Sequence, residues 1–272
     1  RNRSWGDGRS VRAGAPRPVL MEQETELKFI GPEDALARVR RLPLFLRLSG
    51  KRKAQTHELR AVYFDTDALA LREAGFVLRV RDEGGTFVQT LKSANGADVA
   101  TRMELKGEVA GFVPNIAAIP DDRVRRQIKK VLGRSQLRPV FTVEMRRMTM
   151  LLVPRRGCEI EAAFDVGVVR TVGSGAPASA PISEFELELL KGSPNDLVAC
   201  AKALTENVPL TLSLQSKAAR GYALTTDSAE APVTAQRILL PEAATADVAF
   251  GQVVAHCLAH LLGNWSAVVV AR

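Results

Sequence analysis

The chain has 272 residues and a net charge of +8, from 38 basic and 30 acidic side chains, with enough apolar content to bury the core of one large domain or two smaller ones. Three cysteines, Cys158, Cys200 and Cys257, with no CxxC spacing, exclude a disulfide framework or a zinc knuckle and fit a reducing cytoplasm. No apolar run reaches spanning length, so no membrane partner is expected.

Residues 1–20 hold five Arg and one Asp, which is half of the excess charge, so the rest of the chain is weak evidence for nucleic acid. This segment has no apolar h-region and is not a secretory signal. It reads as a disordered leader, with a nucleic-acid-binding arm as the alternative. From Met21 onward the pattern is strand-like. Short period-two runs are separated by Gly, Pro, Asn and Asp, and strands are expected near 22–30, 59–65, 76–83, 86–92, 100–109, 139–153, 158–170 and 182–190. Asp82-Glu83-Gly84-Gly85 has hairpin chemistry. Helical patterns fall at 33–42 behind Pro32, at 121–132, and at 194–206 behind Ser193. His57 reads as part of a basic loop with Lys51, Arg52 and Lys53, and Val172–Pro181 as a second loop. Beyond residue 227 comes a linker, 228–245, then one apolar-rich helix over 246–262. His256 and His260 share its face, but without HExxH or a third ligand they imply packing, not zinc. One helix cannot form a domain, so it is expected to open a second, helical one. Eight antiparallel-type strands with few helices favour a closed barrel or a curved double sheet over a parallel α/β fold.

Alternation sorts the charges. Successive strand residues face opposite sides, so Glu24, Glu26 and Lys28 share one face, opposite Thr25, Leu27 and Phe29. By the same parity Arg79 and Arg81 align, as do Arg102, Glu104 and Lys106, then Glu159, Glu161 and Asp165, then Glu184, Glu186 and Glu188. Lys92 ends another run. A charged face in water is the ordinary reading of any one such strand. Carboxylates at i, i+2 and i+4 repel, however, and need cations to compensate. Acidic strands and separate basic strands together suit a metal–polyphosphate complex: hard cations take carboxylate oxygens, and phosphates take Arg and Lys.

These residues resemble the CYTH family of triphosphate tunnel metalloenzymes. The likeness begins with an ExExK strand, Glu24-Thr25-Glu26-Leu27-Lys28. It continues through Tyr63-Phe64-Asp65-Thr66, Leu78-Arg79-Val80-Arg81, Thr90-Leu91-Lys92 and Arg102-Met103-Glu104. It ends with Glu161 to Asp165, Ser183 to Glu188, and Ser216-Lys217-Ala218-Ala219-Arg220-Gly221-Tyr222. The wording SEFELELLKG and SKAARGY is most similar to the bacterial inorganic triphosphatases, whose CYTH domain precedes a helical CHAD domain; residues 246–272 resemble the opening of that domain.

The resemblance implies an α+β, mainly β fold: an eight-stranded antiparallel closed β-barrel with flanking helices, spanning residues 21–227. Its charged face would line a tunnel, and its apolar face would meet the helices. It further implies hydrolysis of inorganic triphosphate, or of another polyphosphate-containing small molecule, with Mg²⁺ or Mn²⁺. Thiamine triphosphatase, class IV adenylyl cyclase and a non-catalytic polyphosphate-binding module are the alternatives. Carried onto this chain, Glu24, Glu26, Glu104, Glu161, Asp165, Glu184, Glu186 and Glu188 would form the metal shell. Lys28, Arg79, Arg81, Lys92, Arg102, Arg147, Lys217 and Arg220 would hold phosphate oxygens, with Glu24, Glu26 and Lys28 central to catalysis. A bulge would exchange Arg147 for Arg146.

Overall fold

The computed structural model describes residues 25–93, 104–173, 176–226 and 234–270, the last five by backbone alone. Its centre is one antiparallel sheet. The strands are β1 (Glu26–Ile30), β2 (Gln55–Asp65), β3 (Phe76–Asp82), β4 (Phe87–Ser93), β5 (Glu104–Val109), β6 (Arg138–Leu152), β7 (Glu159–Thr171), β8 (Ser179–Lys191) and β9 (Thr211–Leu212). The helices are α1 (Glu33–Arg41), α2 (Pro43–Ser49), α3 (Ala70–Glu73), α4 (Asp122–Leu132), α5 (Pro194–Thr205), α6 (Lys217–Thr225) and α7 (Ala246–Val270). Helices α2, α3 and α6 and the short β9 were not among the expected elements. His57 belongs to β2, not to a loop, and β8 begins inside the expected Val172–Pro181 loop.

Local chemistry explains the main boundaries. The β3–β4 hairpin turns through Gly84 and Gly85 at φ 73° and 95°, and the Asp82 carboxylate accepts from the Gly85 N–H at 2.7 Å. Successive residues at positive φ are what glycine supplies without strain. Asp121 caps α4 by accepting from the Val124 N–H, and Ser193 and Asp196 form a reciprocal capping box on α5.

The expected closed eight-stranded barrel is corrected: the sheet is open, with nine strands in the order β5-β4-β3-β2-β6-β7-β8-β1-β9. Closure needs two long edges in register. The long strands, β6, β7 and β8 with 15, 13 and 13 residues, lie inside the sheet, whereas β5, β1 and β9 taper to 6, 5 and 2. The outer side of β1 is taken by β9, through Phe29 opposite Leu212 and Ile30 opposite Thr211. Among the described residues β5 pairs only with β4.

The open sheet nevertheless curls, with helices on both faces. On one part of the convex face Phe29, Ile160, Phe164, Phe185 and Leu187 pack with Leu36 and Val39 of α1, Phe45 of α2, and Leu197 and Leu204 of α5. On another, Val62, Leu78, Val80 and Leu91 pack with Leu71 of α3 and with Val124 and Ile128 of α4. The concave face is filled at one end by α6, whose Ala218 and Tyr222 meet Tyr63, Phe141, Val143 and Met145. Buried Asp65 ties this plug down. It accepts from the Tyr222 hydroxyl at 3.0 Å and from the backbone N–H groups of Thr66, Leu71 and Arg72. The helix α7 runs past its expected end at 262, and its Ala246–Trp265 stretch, with a mean hydropathy of 1.2, is long and apolar enough by composition to cross a membrane. One such helix is weak evidence for a membrane.

Candidate active site

The concave face encloses a cavity of about 340 Å³. Every strand from β1 to β8 contributes a lining residue, with Ser216, Lys217 and Ala218 at the start of α6. Parity decides which side chains enter. Val77, Arg79 and Arg81 of β3 face the cavity, while Leu78 and Val80 are fully buried on the other side. Pairing between β6 and β7 runs without a shift from Phe141 to Leu152, so Arg147 enters the cavity and Arg146 lines a separate groove outside it.

The acidic side is built by register. Glu188 of β8 stands directly opposite Glu26 of β1 and Glu161 of β7, and all three line the cavity. Two residues along, on the same face, Glu186 stands between Lys28 and Ala163. Facing these carboxylates are Arg79, Arg81, Lys92 and Lys106 of β3, β4 and β5. Parity put Lys106 on this face, but nothing in the sequence marked it for the site. Glu24 and Arg102 lie outside the described residues.

A deeper network lies beside the cavity. Asp165, Glu184 and Glu186 bring ligand oxygens within 4.8 Å of one another, in principle a cation site. The Lys217 ammonium already stands among them, 2.8 Å from Asp165, 2.5 Å from Glu184 and 2.8 Å from Glu186. The Arg147 guanidinium forks onto Asp165 at 2.7 and 2.6 Å and reaches Glu186 at 2.5 Å. Arg220 lies 3.0 Å from Glu184 and donates to the Pro181 carbonyl, so it points into this network. Lys28 donates to the Gln215 carbonyl.

The protonation states follow. Burial pushes the Glu186 carboxyl up, but Lys217 and Arg147 outweigh it and hold it at about 2. Burial works against the Lys217 charge, yet Glu186, Asp165 and Glu184 raise its pKa well above the ordinary lysine value. Arg147 is raised in the same way by Asp165 and Glu186. Lys28 goes the other way: burial lowers its pKa, and the attraction of Glu184 does not offset it. The Arg79 Nε is buried without a hydrogen-bond partner, and the guanidinium stands beside Tyr63 and Glu104.

These donors fit a hard divalent cation. Oxygen ligands from Glu26, Glu161 and Glu188 suit it, and the residues opposite suit the phosphate oxygens it accompanies. The Asp165–Glu184–Glu186 cluster fits less well, because Lys217 already supplies its positive charge.

Comparison with known proteins gives a consistent family. The CYTH domain matches residues 22–222. The inorganic triphosphatase of Haemophilus influenzae is 30% identical over 212 residues, covering 75% of this chain and 56% of that protein. The chain thus spans little more than half the length of that relative. Among solved structures, a Hippeastrum protein described as having a dominant triphosphatase activity is 17% identical, over 74% of this chain and 95% of that one, with a TM-score of 0.45. A Bacillus halodurans protein described as a candidate adenylate cyclase is 18% identical, over 72% and 95%, with a TM-score of 0.45. Neither is near enough in sequence or superposition to transfer chemistry.

Proposed function

The chain belongs to the CYTH domain family, and on that premise we propose that it hydrolyses inorganic triphosphate to pyrophosphate and phosphate with a divalent metal. The observation that carries this is the cross-strand row Glu26–Glu188–Glu161 facing Arg79, Arg81, Lys92 and Lys106 across one cavity. The name of the Haemophilus influenzae relative supports the choice of substrate.

Glu26, Glu161 and Glu188, with Glu24 two residues before Glu26, would hold Mg²⁺ or Mn²⁺. When bound, such an ion polarises phosphoryl oxygens and lowers the pKa of a water. The chain's own work is positioning and charge. Arg79, Arg81, Lys92 and Lys106 hold the phosphate oxygens from one side, and Lys28 and Arg147 from another. Cleavage moves negative charge onto the leaving pyrophosphate, and fixed cations stabilise that charge without reorganising. No covalent nucleophile is needed. Asp165, Glu184 and Arg220 set the field behind the cavity, and Lys217 carries it to the cavity wall. Residues 21–227 form the catalytic unit of this proposal, in a cytoplasmic protein whose helical continuation from 246 begins a CHAD-type domain.

Phosphate release from inorganic triphosphate, thiamine triphosphate and ATP, each with Mg²⁺, Mn²⁺ or excess chelator, and with pyrophosphate and cyclic nucleotide followed separately for ATP, tests the reading. Inorganic triphosphate should turn over fastest, and chelator should stop it. Faster turnover of thiamine triphosphate, or conversion of ATP to a cyclic nucleotide, would replace the substrate. Calorimetric binding of triphosphate with no product over hours would make the chain a binding module.

A further inference from the structure

Glu104 stands where a carboxylate is unfavourable for binding a polyanion. It lines the cavity on the wall that otherwise presents Arg79, Arg81, Lys92 and Lys106, and its side chain is only 15% exposed. Repulsion between it and the substrate grows as the local dielectric falls. What it touches gives the reason for its place. Its Oε2 lies 2.7 Å from Lys92 Nζ, and its Oε1 lies 3.5 Å from Lys106 Nζ and 3.9 Å from Arg79 Nη2. Three cations from β4, β5 and β3 thus converge on one carboxylate. Lys92 is its direct cross-strand neighbour, and Arg79 comes from the strand beyond. Burial pushes the carboxyl up, but Lys92, Lys106 and Arg79 hold it below its ordinary value, so it stays ionised.

Long cationic side chains lose rotamer freedom when they grip a ligand. Fixing them before the ligand arrives removes that cost from the binding step. Arg79 lies against Glu104 through Nη2 at 3.9 Å with Tyr63 beside it, so the carboxylate shares in holding a guanidinium that also lines the cavity.

We infer that Glu104 is a positioning residue: it holds Lys92, Lys106 and Arg79 as one fork aimed at the phosphate oxygens, and it does not ligate the divalent cation. This rests on the triphosphate reading above. Removing its charge while keeping its shape leaves the wall more positive but less ordered. Substrate then binds at least as tightly and is poorly aligned, and misalignment of reacting groups costs about tenfold or more in turnover.

The test uses the full chain as wild type, Glu104→Gln and Glu104→Asp. Steady-state rates are measured against triphosphate and, separately, against Mn²⁺, and triphosphate binding to the metal-free proteins is measured by calorimetry. Glu104→Gln should lower kcat about tenfold, with KM unchanged or lower, metal-free binding unchanged or tighter, and half-saturating Mn²⁺ unmoved. Glu104→Asp keeps the charge on a shorter arm and should fall between the two, with kcat down about threefold. It carries the test alone if the Gln variant does not fold, and a wild-type kcat there overturns the inference. So does a wild-type kcat in Glu104→Gln, a raised KM at unchanged kcat, or a several-fold rise in half-saturating Mn²⁺, which would make Glu104 a metal ligand. A wild-type chain that neither binds nor hydrolyses triphosphate overturns the functional reading and this inference with it.

Discussion

Lys217 is the residue on which the charge balance turns. Its ammonium sits among three carboxylates, two of which, Asp165 and Glu184, have no solvent exposure at all. Taking away one partner of a buried ion pair costs about 3–5 kcal/mol, because it strands the other charge. Lys217→Met should therefore lose about 3 kcal/mol of stability at pH 7, with Arg147 and Arg220 covering part of the deficit. The pH dependence separates this loss from a packing defect. In the wild type Glu186 is held at about 2. Its contribution is complete above the unfolded carboxylate pKa of about 4.3 and is lost as pH falls toward 2. In Lys217→Met the gap to wild type should shrink on acidification, since a protonated carboxyl needs no cation. Urea unfolding from pH 7 to 2.5 reads both, and a gap that stays constant or widens would count against the ionic account. Parity could find Glu184, Glu186 and Asp165 in the sequence. It could not show that Lys217 would be their cation, because Lys217 arrives from a helix more than 25 residues beyond β8.

At the level of elements, alternation carried the reading where strands are regular. Period two was enough to separate Arg79 and Arg81 from Leu78 and Val80, and Arg147 keeps its place because no bulge interrupts β6 beside it. The reading ran out at α6. Lys-Ala-Ala-Arg-Gly-Tyr-Ala-Leu-Thr has a weak apolar stripe and a glycine in its middle, so its helical character was hidden. The glycine is there for contact. A Cβ on Gly221 would lie 2.2 Å from Cε2 of Phe141, whose ring stacks on Tyr63. Gly221→Ala should push α6 off the sheet and cost about 1–3 kcal/mol despite alanine's better helix propensity. Lys217 moves with the helix, so phosphate release should fall as well. Thermal unfolding together with the rate checks this; an unchanged melting point would mean the helix has room to back away.

For the whole molecule, the expected barrel and the observed open sheet differ at the edges and agree at the centre. Strand patterns found β1 to β8, and the long strands among them build the curl. They could not show how the sheet ends: β1 is only five residues long, and β9, with two and no pattern to read, takes its outer side. Curvature alone therefore brings β1 within reach of the cavity that β3, β4 and β5 also line. The account depends on that meeting of an acidic and a basic wall, and Glu26 is the carboxylate on which it can be tested most directly. Initial rates of phosphate release from inorganic triphosphate in Mg²⁺ and in Mn²⁺ should be readily measured for the wild type. They should fall by about a hundredfold or more in a folded Glu26→Gln variant. Near-wild-type release from that variant in either metal would contradict the account.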